Sequence, residues 1–173
     1  MNNILKYITL GAIVIVCQIL VSEYVNIWAV LYVAVFPQFI ILLPPTINRS
    51  VYLLIAFALG LSIDLFADGV LGLNAAALTA MAYVRPAILK FTVPKTSFES
   101  YDNQPLIPRT VELPKLALLD TLLLAVFFTV YVLLDSAVSF SAGYTLLKIV
   151  LCVAANSAIT FACNIVLLDK ILR

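Results

Sequence analysis

Six apolar runs occupy most of this chain, at roughly residues 4–22, 27–44, 50–66, 70–90, 113–135 and 143–168. About 20 apolar residues suffice to carry a helix across the hydrocarbon core of a bilayer, so each run is a candidate crossing. The connections after the first, third and fifth runs are very short, which pairs the runs as helical hairpins. A soluble fold is excluded by composition. The chain is 64% apolar and 11% charged, against about 45–50% and 25% in ordinary globular domains. The expectation is an all-α integral membrane protein, a single six-helix bundle over residues 1–173 with no soluble domain of its own. The first run is too long for a signal peptide, carries Gln18, and ends in Ser22-Glu23-Tyr24 with no small-x-small cleavage site, so it reads as a retained span. The one sizeable polar stretch, 91–112, carries Pro94, Pro105 and Pro108 and reads as a loop.

Basic residues orient the bundle. With six crossings, Lys6, Arg49, Arg85, Lys90, Lys95, Arg109, Lys115, Lys170 and Arg173 share one side, and Lys148 alone lies on the other. Cytoplasmic loops carry the excess of Lys and Arg, so both termini and the 91–112 loop are expected in the cytoplasm. Tyr24, Trp28, Tyr131 and Tyr144 then fall near the outer interface, and Tyr7 and Tyr52 near the inner one.

The residue inventory argues against catalysis. The chain has no histidine, the commonest general base and metal ligand. Cys17, Cys152 and Cys163 all lie in apolar runs and are odd in number, which speaks against a disulfide framework. No phosphate loop, nucleophile elbow or metal-ligand cluster is present. No enzyme activity, cofactor or metal site is expected, and a net charge of +1 gives no sign of nucleic-acid binding.

Polar residues inside apolar runs are costly and mark function or pairing. Asp64 and Asp68 end the third run four residues apart, on one helix face. They read as carboxylates meeting outer water, or as a polar contact with a neighbouring helix or a partner; a cation site would need a third ligand. Gly69, Gly72 and Asn74 follow and suit a tight reversal at the outer surface. In the last run Ala154, Ala158 and Ala162 form a small-x-x-x-small seam suited to close helix packing. Asn156, Thr160 and Asn164 form a polar stripe about 200° round the helix from it. That stripe reads as an internal seam of the bundle, a ligand pocket or a partner face. Arg85 and Asp120 fall at similar depth near the cytoplasmic ends of the fourth and fifth runs, and are expected to form a buried ion pair.

The stretch Leu59-Gly60-Leu61-Ser62-Ile63-Asp64-Leu65-Phe66, continuing Asp68-Gly69-Val70-Leu71-Gly72-Leu73-Asn74-Ala75, resembles the rod-shape-determining MreD family. The matching pattern is a Gly, an Asp, then a turn with a Leu-Gly pair opening the next apolar helix, here Gly60, Asp64, Leu71 and Gly72. Arg85-Pro86 before a Pro-containing loop looks like the Bacteroidetes form. The motif covers about residues 56–90; length and hydropathy agree over the whole chain. The resemblance implies a multi-pass bacterial inner-membrane subunit of the cell-elongation machinery, without enzyme activity. It would bind a single-span MreC-like protein and, through it, an MreB-like cytoskeleton and the lateral-wall peptidoglycan synthases. The concentration of matching residues around Asp64, Asp68, Gly69 and Gly72 makes that hairpin the expected partner surface. The family fold is similar to the substrate-binding subunits of energy-coupling-factor vitamin transporters, which supplies the alternative function. Those subunits couple through Ala-x-x-x-Ala on the first span, where this chain has Gly11-Ala12 and Ile15-Val16 instead.

Overall fold

In the computed structural model, residues 3–24, 31–45, 47–92, 112–136 and 141–164 are described, and the regular structure among them is entirely helical. Helix α1 spans Asn3–Tyr24, α2 Pro37–Leu42, α3 Arg49–Ile63, α4 Leu73–Thr92, α5 Leu113–Asp135 and α6 Ala142–Cys163. Four of them, α1, α3, α5 and α6, are long and apolar enough to cross a membrane. Helix α4 has 20 residues but, carrying Asn74, Arg85, Pro86 and Lys90, is less apolar.

Neighbours in sequence pack as neighbours in space. Helix α3 lies on α4, α4 on α5, and α5 on α6, while α1 touches α3 only sparsely. The core sits between α3, α4 and α5, with Ile63, Leu78, Met81, Leu119, Leu123, Phe127 and Phe128 fully buried. Outside it, Ile8, Leu54, Leu118, Leu146 and Val150 are exposed. A water-soluble protein does not expose so many large side chains along its helices; hydrocarbon is the solvent they fit.

The second apolar run departs from expectation. In place of a continuous helix over 27–44, its described part is extended backbone over residues 31–35 followed by the six-residue α2. Pro37 opens α2 at the first helical position, where its missing N–H costs nothing. Pro44 and Pro45 follow its end, where no helix has to continue. The segment is buried nonetheless, from Tyr32 to Pro44 with Val35 half-buried. Tyr32 stacks on Tyr131 with ring centroids 4.7 Å apart, and Phe36 meets Phe127 edge-on at 5.4 Å. The segment thus runs down the middle of the bundle between α1 and α6.

Candidate functional site

Extended backbone in an apolar interior is tolerated only if every N–H and C=O finds a partner inside the protein. Along a strand these groups point alternately to opposite edges, and each edge of residues 32–35 meets one amide side chain. On the α1 side, Gln18 Nε2 donates to the Val33 carbonyl at 3.1 Å, and the Val35 N–H donates to Gln18 Oε1 at 2.8 Å. On the α6 side, Asn156 Nδ2 donates to the Tyr32 carbonyl and the Ala34 N–H donates to Asn156 Oδ1, both at 2.8 Å. Each amide reproduces the paired donor and acceptor of an adjacent strand. Asn156 Nδ2 also reaches the Cys152 carbonyl one turn back at 2.8 Å, and the Tyr32 N–H donates to Cys152 Sγ at 3.4 Å.

The polar contacts continue along α2. Gln38 Nε2 donates to Asn164 Oδ1 at 2.6 Å, and Asn164 Nδ2 donates to Asp120 Oδ2 at 2.7 Å. Past them, the Tyr52 hydroxyl donates to the Ile40 carbonyl at 2.7 Å. Arg85 Nη2 donates to the carbonyls of Ile41, at 3.1 Å, and Leu43. These are the free acceptors at the C-terminal end of α2, where a cation is favoured. The guanidinium also lies over the Tyr52 ring, 4.7 Å from its centroid.

Two expectations are corrected by this geometry. Arg85 and Asp120 do not pair with each other, because each is held by another element: Arg85 by the end of α2, Asp120 by Asn164. The Ala154, Ala158 and Ala162 seam is exposed rather than packed inside the bundle. The residues of α6 turned inward are Thr145, Cys152, Asn156 and Thr160, with Asn164 at its C-terminal cap; Asn156 meets hydrogen-bonding groups of the buried backbone that alanine would leave without it.

A second polar arrangement joins α3 to α4. Asp64 is fully buried, and its carboxylate accepts N–H bonds from Gly72 at 2.9 Å, Asn74 at 2.8 Å and Ala75 at 3.2 Å. It thereby satisfies the unpaired donors at the start of α4. One turn earlier, Gly60 lets the backbones touch: a Cβ there would stand 2.5 Å from Ala75 Cα. Between them the chain makes a π-turn over Asp64–Asp68, closed by the Gly69 N–H on the Asp64 carbonyl at 2.9 Å. Gly69 and Gly72 have φ of 71° and 95°, conformations that side chains with a Cβ resist. Asp64 is therefore an internal clasp: of the readings open to it, the polar contact with a neighbouring helix is the one the geometry shows. The side chain of Asp68 lies outside the described residues. What the hairpin presents outward is Leu65, Phe66, Val70 and Leu71, each more than half exposed.

Between α1 and α3 lies an apolar groove of about 650 Å³. Gly11, Ala12 and Ile15 line it from α1, Ile55 and Ala58 from α3, and Phe39 and Leu43 from α2.

Sequence reasoning singled out Asn156, Asn164, Asp120 and Arg85 but not their partners. Gln18 reads only as a polar break in the first run, Tyr52 only as an interface aromatic and Cys152 only as a cysteine in an apolar run, while Gln38 carries no reading of its own. Two glutamines inside apolar runs were the available signal, since an amide in hydrocarbon requires a partner. Among known proteins no family, no curated protein and no solved structure matches this chain.

Proposed function

We propose that the chain is a non-enzymatic inner-membrane subunit of the bacterial cell-elongation machinery, a scaffold that docks a single-span MreC-like partner. The observation that carries this reading is that most polar groups on its inner helix faces are engaged by the chain itself, through its backbone or through one another. Asn156 and Gln18 hold residues 32–35, and Asn164 joins Gln38 to Asp120. A vitamin-binding subunit would aim such groups at a ligand. A scaffold uses them to fix its shape and recognises its partner with its outer surface. The outer hairpin supplies such a surface in Leu65, Phe66, Val70 and Leu71, beside the residues that resemble the MreD motif. In this reading the bundle crosses the membrane six times with both termini cytoplasmic. Residues 31–43 make the second crossing without a continuous helix, and α4 makes the fourth.

The test is purification of the tagged full chain from native membranes of its host. A stoichiometric single-span protein should co-purify, and deletion of the gene should round a rod-shaped host. The groove between α1 and α3 favours a second reading, the substrate-binding subunit of a micronutrient transporter, because its volume falls in the range of small-molecule pockets, about 300–1,000 Å³. A tightly bound vitamin in native mass spectra, with normal cell shape after deletion, would replace the scaffold reading by that one.

A further inference from the structure

Two buried oxygen atoms flank the Asn164 amide with nothing to accept from. Asp120 Oδ2 is bonded to Asn164 Nδ2 and Gln38 Nε2 to Asn164 Oδ1. The other head-group atoms, Asp120 Oδ1 and Gln38 Oε1, have no hydrogen-bond partner. Both residues are deeply buried, Asp120 at 1% and Gln38 at 7% exposure. Buried carbonyl and carboxylate oxygens in folded proteins are nearly always paired, so two orphans beside one amide mark a missing positive or donor group. The charge balance points the same way. Asp64 and Arg85 are the other charged residues buried among the described residues; three N–H groups at the start of α4 engage Asp64, and the end of α2 and the Tyr52 ring engage Arg85. An ionised carboxyl inside apolar surroundings needs a counter-charge, failing which it takes up a proton.

The donor set narrows what fits. It consists of oxygens, so it suits a hard cation rather than a soft transition metal. One carboxylate supplies one negative charge, and among the described residues no group of three His, Cys, Asp or Glu is placed to hold a metal ion. A divalent ion would leave charge uncompensated; a monovalent ion would not. The site also lies where a membrane bundle interrupts its helices, at α2 after the extended segment. Such breaks are where non-helical backbone and inward side chains coordinate small ions.

We propose that Asp120 and Gln38, oriented by Asn164, supply two oxygen ligands to one monovalent alkali cation between α2, α5 and the end of α6, with water completing its shell, and that this ion locks α2 against the bundle. The proposal stands apart from the scaffold reading, since it concerns the interior and not the docking surface.

The test is thermal unfolding of the purified full chain in neutral-lipid nanodiscs. Choline chloride is replaced stepwise by NaCl, KCl or LiCl at constant ionic strength and pH. The unfolding midpoint should rise saturably with one alkali ion, as for any ligand that binds only the folded state. Asp120→Asn keeps an acceptor for Asn164 and replaces the orphaned carboxylate oxygen and its charge by an N–H donor. It should fold and be insensitive to the ion. Gln38→Leu should shift the titration to higher ion concentration by roughly tenfold or more, as loss of a metal-site partner does. If Asp120→Asn does not fold, the shift in Gln38→Leu decides. Equal midpoints in choline and in all three alkali salts would overturn the proposal and leave a proton or a water on Asp120. An ion response unchanged in both variants would overturn it by placing the ion elsewhere.

Discussion

The bundle contains two places where backbone without helical partners is held in apolar surroundings, and it satisfies them in opposite ways. At the α3–α4 turn one carboxylate, Asp64, serves three N–H groups that lie eight to eleven residues further along the chain. At residues 32–35 two amides serve four backbone groups, one amide from 15 to 17 residues away and the other from about 120. The turn is local and sterically tight, with glycine at every position where a side chain would collide or strain. The extended segment is held by distant helices that must first assemble. The comparison teaches that burial alone does not require helix in a membrane bundle. It requires donors and acceptors at the correct edges, from wherever in the chain they come.

The largest expected effect breaks the long-range clamp. Asn156→Leu leaves the Ala34 N–H and the Tyr32 carbonyl to lose their Asn156 partners, and each buried unsatisfied group costs about 1–3 kcal/mol. Unfolding in mixed detergent–SDS micelles should show a loss of about 2–5 kcal/mol. A loss below about 1 kcal/mol, nearer the average for interhelical bonds in membranes, would mean that the segment re-pairs without the clamp.

The local turn should respond next. In Gly60→Ala the new Cβ meets backbone atoms of Ala75 and Asn74, and backbone does not move aside as a flexible side chain does. The helices must part, at about 3 kcal/mol, the upper range for overpacking. Hydrogen exchange at the Asn74 and Ala75 amides should accelerate, and an unchanged rate would show that α4 does not rest on Gly60.

Asp64→Ala removes the acceptor while leaving the close approach intact. Bonds to a charged group contribute about 1.5–3 kcal/mol, and other groups at the turn replace part of what is lost, so about 2 kcal/mol is expected. Asp64→Asn should retain a share of it, because one oxygen remains. Equal losses in the two variants would indicate that shape rather than hydrogen bonding holds the turn.

Gly72→Ala isolates conformation. No atom lies within 4 Å of the added Cβ, so only the left-handed backbone, at φ 95°, is penalised, by about 1–2 kcal/mol. The smallest effect is a coupling. Since Arg85 and Asp120 are held by different elements, the losses in Arg85→Leu and Asp120→Leu should add to within about 0.5 kcal/mol in the double variant. Recovery of stability in the double variant would mean that the two charges meet after all.

The α3–α4 turn was nearly readable in advance. Gly60, Asp64, Gly69 and Gly72 stand close together, and such residues announce a reversal. What they leave open is the aspartate's direction: Asp64 at the end of a span can meet water, a neighbouring helix or a partner, and only the structure shows that the N-terminal donors of α4 claim it. The clamp was not readable. Hydropathy over 27–44 cannot distinguish a continuous helix from buried non-helical backbone, and Pro37, Pro44 and Pro45 mark only where the short helix α2 is bounded. For α6 the spacing of polar and small residues correctly separated two faces, and only the assembled bundle shows which of them turns inward.

The sequence by itself determined that lipid is the solvent, that the chain is built from helices, and which polar groups had to be satisfied inside it: Gln18, Gln38, Asp64, Arg85, Asp120, Asn156 and Asn164. The tertiary structure alone decided which group satisfies which. Helical and turn hydrogen bonds close within a few residues and leave a periodic trace in the chain. The bond from Asn156 to Ala34 joins positions 122 residues apart, and nothing in local spacing encodes a distance that exists only once α1, α5 and α6 have enclosed the segment between them.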